Sequence, residues 1–148
     1  MTLNHLYQWI GWFWLIAAIV PALLRGGWPE RSAAGAMVVA WFASALAQNT
    51  QQLWGAQVGV MIIDLLLLAM LVTIALVSDR WWPMWAAGFH GLGVLVHIAV
   101  IVDEKIWGRA YFIAGTVFSF LTLLALFMGS IRRPVRRAKT TDAASPLT

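Results

Sequence analysis

The chain has 148 residues, of which 61% are hydrophobic and 11% are charged, and it contains no cysteine. Soluble domains carry about 25% charged residues and only short apolar runs, so this composition excludes an ordinary soluble core. The lack of cysteine excludes disulfides, thiolate metal sites and thiol catalysis, and it leaves the redox compartment undecided.

The net charge of +4 is concentrated at one end of the chain. Residues 1–131 carry five basic and five acidic side chains and are neutral overall. The excess lies in the tail, at Arg132, Arg133, Arg136, Arg137 and Lys139. A basic cluster directly after a membrane helix is typical of a topology signal or of contact with anionic lipid. The lipid bilayer is therefore an expected partner, and nucleic-acid binding is not predicted.

Five apolar segments follow one another along the chain, at about 7–24, 33–47, 54–77, 83–102 and 110–129. Several approach the roughly 20 residues that cross a bilayer, and backbone in hydrocarbon must be helical or closed into a barrel. The runs lack the alternation of a barrel, so we predict an all-α bundle of five transmembrane helices over residues 1–131. The second segment is short and spans only if Arg31 and Gln48 extend it. Residues 132–148 form a basic cytoplasmic tail, partly disordered.

Charge placement predicts the orientation. With five spans and the tail inside, Arg25, Arg31 and Arg80 are also inside, and only Lys105 and Arg109 lie outside. This distribution favours an N-out, C-in arrangement.

Tryptophans near the predicted span ends indicate an aromatic belt at both membrane surfaces. Trp41 lies deep in the second segment, so we expect it to pack between helices. Small residues spaced for close helix contact, such as Gly55 with Gly59 and Gly115 with Ser119, predict packing seams. The predicted belt residues are Trp9, Trp12, Trp54, Trp81, Trp82, Trp85 and Trp107.

Four polar residues lie within the third and fourth segments. Gln57 and Asp64 are seven residues apart, as are His90 and His97, so each pair shares a helix face. One antiparallel register pairs Gln57 with His97 and Asp64 with His90. Counted from the outer ends, Asp64 lies roughly 15 Å deep and His90 roughly 18 Å. We therefore expect a hydrogen bond between Asp64 and His90, directly or through one water.

Two functions fit this predicted centre. An Asp–His pair in low dielectric can hold a proton or a ligand, and it can also act only as a contact between helices. No cofactor is predicted, because His90 and His97 are roughly 10 Å apart and cannot share one haem. A haem would need His5 opposite His97. Asp64 and His90 alone supply too few ligands for a metal.

The segment Asp79-Arg80-Trp81-Trp82-Pro83-Met84-Trp85, with His90 and His97 after it, resembles a motif of small alphaproteobacterial membrane proteins of unknown function. The resemblance covers the third and fourth segments and implies an inner membrane protein without a known activity. The number of spans, the length and the many tryptophans are also similar in outline to the tryptophan-rich sensory (translocator) family, whose members bind porphyrins and sterols. The Trp-x-Pro-Pro stretch of that family is absent here.

No Gly-x-Ser-x-Gly, phosphate-binding glycine loop or His-Glu-x-x-His pattern is present, so no catalytic site is predicted. We therefore expect an accessory subunit or scaffold that packs with other membrane subunits or with itself. The alternative is a binding or transport protein that uses Asp64 and His90 for a proton or a small apolar ligand.

Overall fold

The computed structural model describes residues 3–48, 57–103 and 108–132. Five helices account for nearly all of these residues, and no strand occurs among them. Their bounds are α1 (Leu3–Arg25), α2 (Trp28–Ala47), α3 (Val58–Val77), α4 (Trp82–Val102) and α5 (Gly108–Ile131). The helices coincide with the predicted segments to within a few residues, and α1 continues through Pro21.

The largest difference from the predicted boundaries is at the start of α2. The predicted segment begins near residue 33, whereas α2 begins at Trp28. Pro29 lies in the first turn, and the Glu30 carboxylate accepts a 2.8 Å hydrogen bond from the Gly27 backbone N–H. This bond, one half of a capping box, stabilises a helix start that is polar, which a search for apolar runs does not detect. The preceding Gly26 is required, since a β-carbon there would collide with the Ala22 carbonyl and the Glu30 side chain.

The helices pack as a closed ring in chain order. Each helix contacts the next, α5 returns to α1, and α2 also touches α5 across the ring. The four-residue connection Ser78–Trp81 makes α3 and α4 an antiparallel hairpin. A buried core runs along the bundle axis and includes Ala18, Ala22, Ala33, Met37, Leu71, Ile74, Trp82, Ala86, Leu123 and Leu126.

Three helices are long and apolar enough to cross a membrane: Val58–Val77, Trp82–Val102 and Arg109–Ile131. Large apolar side chains also point outward around the whole bundle. Examples more than half exposed are Phe13, Val39, Leu66, Leu95 and Ile113. An exterior of this kind is suited to lipid contact, so the chain is a membrane-associated helical bundle.

The packing seams follow the prediction in part. Gly59 lies close to Ala47, as expected for a small-residue contact between α3 and α2. The predicted contact through Gly115 and Ser119 is wrong, because a β-carbon at Gly115 would meet nothing within 4 Å and Ser119 is exposed. Small-residue spacing recurs by chance on lipid-facing surfaces, and there it marks no contact. Trp41 packs between helices as expected, with its ring 6.0 Å from that of Trp12.

The tryptophan belt also needs one correction. Trp9, Trp12, Trp81 and Trp85 are exposed, as a belt requires. Trp82 is only 1% exposed, so it is a core residue and does not face lipid. Its indole N–H finds a partner inside the bundle, which is what allows a tryptophan to be buried. Trp54, Trp107, Arg133, Arg136, Arg137 and Lys139 lie outside the described residues.

Candidate functional site

Asp64, His90, His97 and Tyr111, which we call the Asp64 cluster, join α3, α4 and α5 near one end of the bundle. The histidines are buried, and the Asp64 side chain is 22% exposed. Asp64 lies about 9 Å from the start of α3 and His97 about 8 Å from the end of α4. Tyr111 lies about 5 Å into α5. The side chains of Asp64, His97 and Tyr111 therefore lie at similar depths beneath the same end of the bundle.

His97 is the centre of this cluster. Its Nε2 is 3.0 Å from Asp64 Oδ2, and its Nδ1 is 2.9 Å from the Tyr111 hydroxyl oxygen. The rings of His97 and Tyr111 also meet edge to face, with centroids 5.3 Å apart. Both ring nitrogens of His97 are thus engaged, and the imidazole connects the carboxylate to the phenol.

His90 forms a hydrogen bond with the backbone of Asp64. Its Nε2 is 3.0 Å from the Asp64 carbonyl oxygen and 3.8 Å from carboxylate oxygen Oδ1. A carbonyl oxygen can only accept, so His90 Nε2 carries the hydrogen and donates it. His90 therefore holds the backbone of Asp64 and directs the positive end of an N–H dipole toward the carboxylate.

The predicted convergence of Asp64 with both histidines is present, but the partner of the carboxylate is different. The hydrogen bond expected with His90 goes to the Asp64 carbonyl, and the carboxylate bonds to His97. Helical side chains lean toward the N-terminus of their own helix. In an antiparallel pair, Asp64 therefore leans toward the end of α4, and His97 leans back toward Asp64. A register based on residue numbers alone omits this tilt.

Gln57 and His97, which the sequence predicts to pair, are connected through Tyr111. Gln57 is the residue before α3 and has a non-helical backbone, so it shares no helix face with Asp64. The Tyr111 oxygen accepts a hydrogen bond from the Gln57 backbone N–H and also contacts His97 Nδ1. Tyr111 was missed because no residue on its own segment indicates a partner. The available signal was its depth in the fifth segment, which matches that of His97.

Comparison with protein-family models, curated proteins and solved structures finds no match to this chain. The function must therefore be argued from the geometry of the bundle itself.

Metal binding receives no support in the described part of the chain, where no group of three or more His, Asp or Glu side chains could hold a metal ion. In the Asp64 cluster both nitrogens of His97 are already hydrogen-bonded within the protein. The His5 side chain, which a haem would need opposite His97, lies outside the described part.

A second polar cluster, which the sequence analysis missed, lies at the opposite end of the bundle. We call Gly27, Glu30, Arg80 and Trp82 the Glu30 cluster. Glu30 is 1% exposed and accepts hydrogen bonds from the Gly27 N–H and, at 2.9 Å, from Trp82 Nε1. Arg80 Nε is 3.7 Å from the same carboxylate. Glu30 therefore ties the α1–α2 connection to the α3–α4 turn.

The packing around Trp82 fixes this second cluster. A β-carbon at Gly129 would collide with the Trp82 indole. The close approach of α5 to Trp82 therefore requires a glycine at this position. Arg132, the first residue of the predicted basic tail, stacks its guanidinium over the Trp81 ring at 5.0 Å from the centroid. A sequence signal for Glu30 did exist, namely a proline followed by glutamate at the third position of a helix.

Proposed function

We propose that this chain is a five-span protein of a bacterial inner membrane, with its N-terminus outside and its C-terminus inside. The lengths of α1 and α2, 23 and 20 residues, correspond to roughly 34 and 30 Å and suffice for a bilayer. Arg25, Arg31, Arg80 and Arg132 all lie at the end of the bundle that carries the Glu30 cluster. The positive-inside rule favours this end as the cytoplasmic one.

We propose that the Asp64 cluster takes up a proton. The observation that supports this is the unbroken chain of contacts from Tyr111 through His97 to Asp64, at 2.9 and 3.0 Å. A phenol and an imidazole can each donate and accept a hydrogen bond, so a proton can pass along the chain. Ionisable side chains at membrane depth are costly, and they mark ion and proton pathways. A small ligand that carries the proton would use the same centre.

An accessory or scaffold role is the second candidate, and a separate observation favours it. The Asp64 cluster cross-links three helices, and both nitrogens of His97 are used in doing so. Contacts of this kind can have a purely structural role, in which each stabilises the packing of two helices by about 1 kcal/mol. The protein would then act by packing with other membrane subunits or with itself.

The two candidates differ in whether Asp64 changes its protonation state in the folded protein. Infrared difference spectra of the protein in lipid nanodiscs, recorded between mildly alkaline and mildly acidic buffer, report carboxyl protonation directly. We expect a carboxyl band that disappears in Asp64→Asn and persists in Asp79→Asn, the control at the opposite end. If no band depends on Asp64, proton uptake is refuted. Identification of subunits that co-purify from native membranes then tests the accessory role.

A further inference from the structure

We infer that protons reach Asp64 from only one face of the membrane, the face at which α3 begins, by way of Tyr111 and His97. This inference rests on the proposed proton uptake and adds its path and its sidedness. With the orientation proposed above, this face is the outer one, and the centre would respond to protons outside the cell.

The hydrogen-bond chemistry allows two complete arrangements of the cluster. In the empty state, the Tyr111 hydroxyl donates to His97 Nδ1, and His97 Nε2–H donates to the Asp64 carboxylate. When a proton joins the Tyr111 oxygen, the former hydroxyl proton moves to His97 Nδ1 and the Nε2 proton moves to Asp64. The loaded state therefore has a neutral carboxylic acid, a neutral imidazole of the opposite tautomer and an intact phenol. One proton has entered, and no group remains charged.

The backbone of Gln57 sets the direction of the hydroxyl in the loaded state. Its contact with Tyr111 is an N–H that donates to the Tyr111 oxygen. In the loaded state His97 Nδ1–H donates to the same oxygen, so the Tyr111 hydroxyl hydrogen turns away from His97, toward the face at which α3 begins.

Beyond Asp64 the path toward the opposite end is closed by apolar packing. About 20 Å of α3 follows Asp64, and its buried residues there are Leu67, Leu71 and Ile74. Ser78 Oγ, where α3 ends, is buried without a hydrogen-bond partner among the described residues, and it lies about 21 Å beyond Asp64. The serine and threonine hydroxyls within α3, α4 and α5 donate to carbonyl groups of their own helices. They belong to Thr73, Thr116, Ser119, Thr122 and Ser130.

The other charged groups near the helices of the cluster lie toward the two ends of the bundle. Asp103 directly follows α4 and Arg109 is the second residue of α5, both on the face at which α3 begins. Glu30 and Arg31, the charged residues of α2, and Asp79 and Arg80, in the α3–α4 turn, lie at the opposite end.

His90 is a positioning residue in this scheme, since its Nε2 already carries a hydrogen and cannot accept the proton from Asp64. Its N–H to the Asp64 carbonyl holds the carboxylate against His97. Replacing His90 should therefore change the rate at which Asp64 is protonated, without changing the face from which the proton arrives.

The test uses the full chain reconstituted in lipid vesicles in known orientation. The tail contains five basic residues, so trypsin added outside cuts the tails that face outward and reports the orientation. A pH jump is then applied to the external face alone, with an impermeant buffer inside, and the Asp64 carboxyl band is followed. We expect the band to respond when the α3 start faces the jump and to stay unchanged when the tail faces it.

Tyr111→Phe breaks the relay and keeps the ring. We expect loading to slow by roughly 100-fold, the scale of one positioned proton-transfer group. Thr116→Val, which removes a hydroxyl of the same helix that donates to the Phe112 carbonyl, is the matched control and should leave the rate unchanged. Far-ultraviolet circular dichroism and tryptophan fluorescence verify that both variants fold.

The possible results separate the inference from the proposed function. A band that responds to a jump on either face, or only on the tail face, overturns one-sided access while leaving proton uptake intact. An unchanged loading rate in folded Tyr111→Phe overturns the relay. A band that responds to neither face, in wild-type protein whose orientation and folding are verified, refutes proton uptake itself.

Discussion

The two polar clusters of this bundle each contain one carboxylate, and they differ in what surrounds it. Every partner of Glu30 is a pure donor: a backbone N–H, an indole N–H and a guanidinium. The partners of the Asp64 carboxylate lead to groups that donate and accept, namely an imidazole and, behind it, a phenol. The hydrogen-bond network of Glu30 therefore ends at its donors, whereas that of Asp64 continues through groups that both donate and accept. The Glu30 cluster links helices, whereas the Asp64 cluster also contains the groups that the proposed proton path needs.

Glu30→Gln should have the largest effect on stability. An amide keeps one acceptor oxygen, but its NH₂ group would face either the Gly27 N–H or the Trp82 N–H, donor against donor. Breaking a buried charged contact in this way costs about 3 kcal/mol of unfolding free energy. The measurement is unfolding in mixed micelles at increasing denaturing detergent, followed by tryptophan fluorescence. Asp79→Asn, an exposed acid in the adjacent turn, is the control and should change little. A loss below that of the control would mean that Glu30 does not fasten this end.

Gly129→Ala tests the same end through packing. The added methyl group would collide with the Trp82 indole, which its hydrogen bond to Glu30 prevents from moving aside. Overpacking of this kind costs about 2 kcal/mol. Gly115→Ala adds the same methyl group to the same helix where nothing lies within 4 Å, and it should be neutral or slightly stabilising. Equal effects of the two substitutions would contradict the tight contact between α5 and α4 at Trp82.

The sequence predicted most of the helical architecture and part of the Asp64 cluster, but not the Glu30 cluster. Five helices and the α3–α4 hairpin follow from hydropathy and a short connection, and these also bring Asp64, His90 and His97 together. The choice of His97 over His90 depends on side-chain tilt and on where α3 begins, and neither is visible in a residue count. Tyr111 and Glu30 depend on which helices become neighbours. Glu30 meets Trp82 across 52 residues, a contact that no local pattern specifies.

Asp64→Asn should have the smallest effect on stability and the clearest effect on function. Unlike Gln at position 30, Asn at position 64 meets an adaptable partner, because His97 can shift its hydrogen to Nδ1 and accept from the new amide at Nε2. The Tyr111 oxygen then accepts from His97 Nδ1–H and from the Gln57 backbone N–H, as in the loaded state of the relay. We expect a loss of no more than about 1 kcal/mol, the size of one polar contact between membrane helices.

Nitrogen-15 NMR of histidine-labelled protein checks this rearrangement. The chain contains three histidines, so His97 is assigned by comparison with His5→Gln and His90→Gln. In Asp64→Asn the neutral His97 ring should carry its hydrogen on Nδ1. The same ring in the wild type should change tautomer as the carboxylate takes up its proton. If His97 kept one tautomer in both proteins, the contrast between the two clusters would be lost, and Asp64 would be a fixed fastening of the same kind as Glu30.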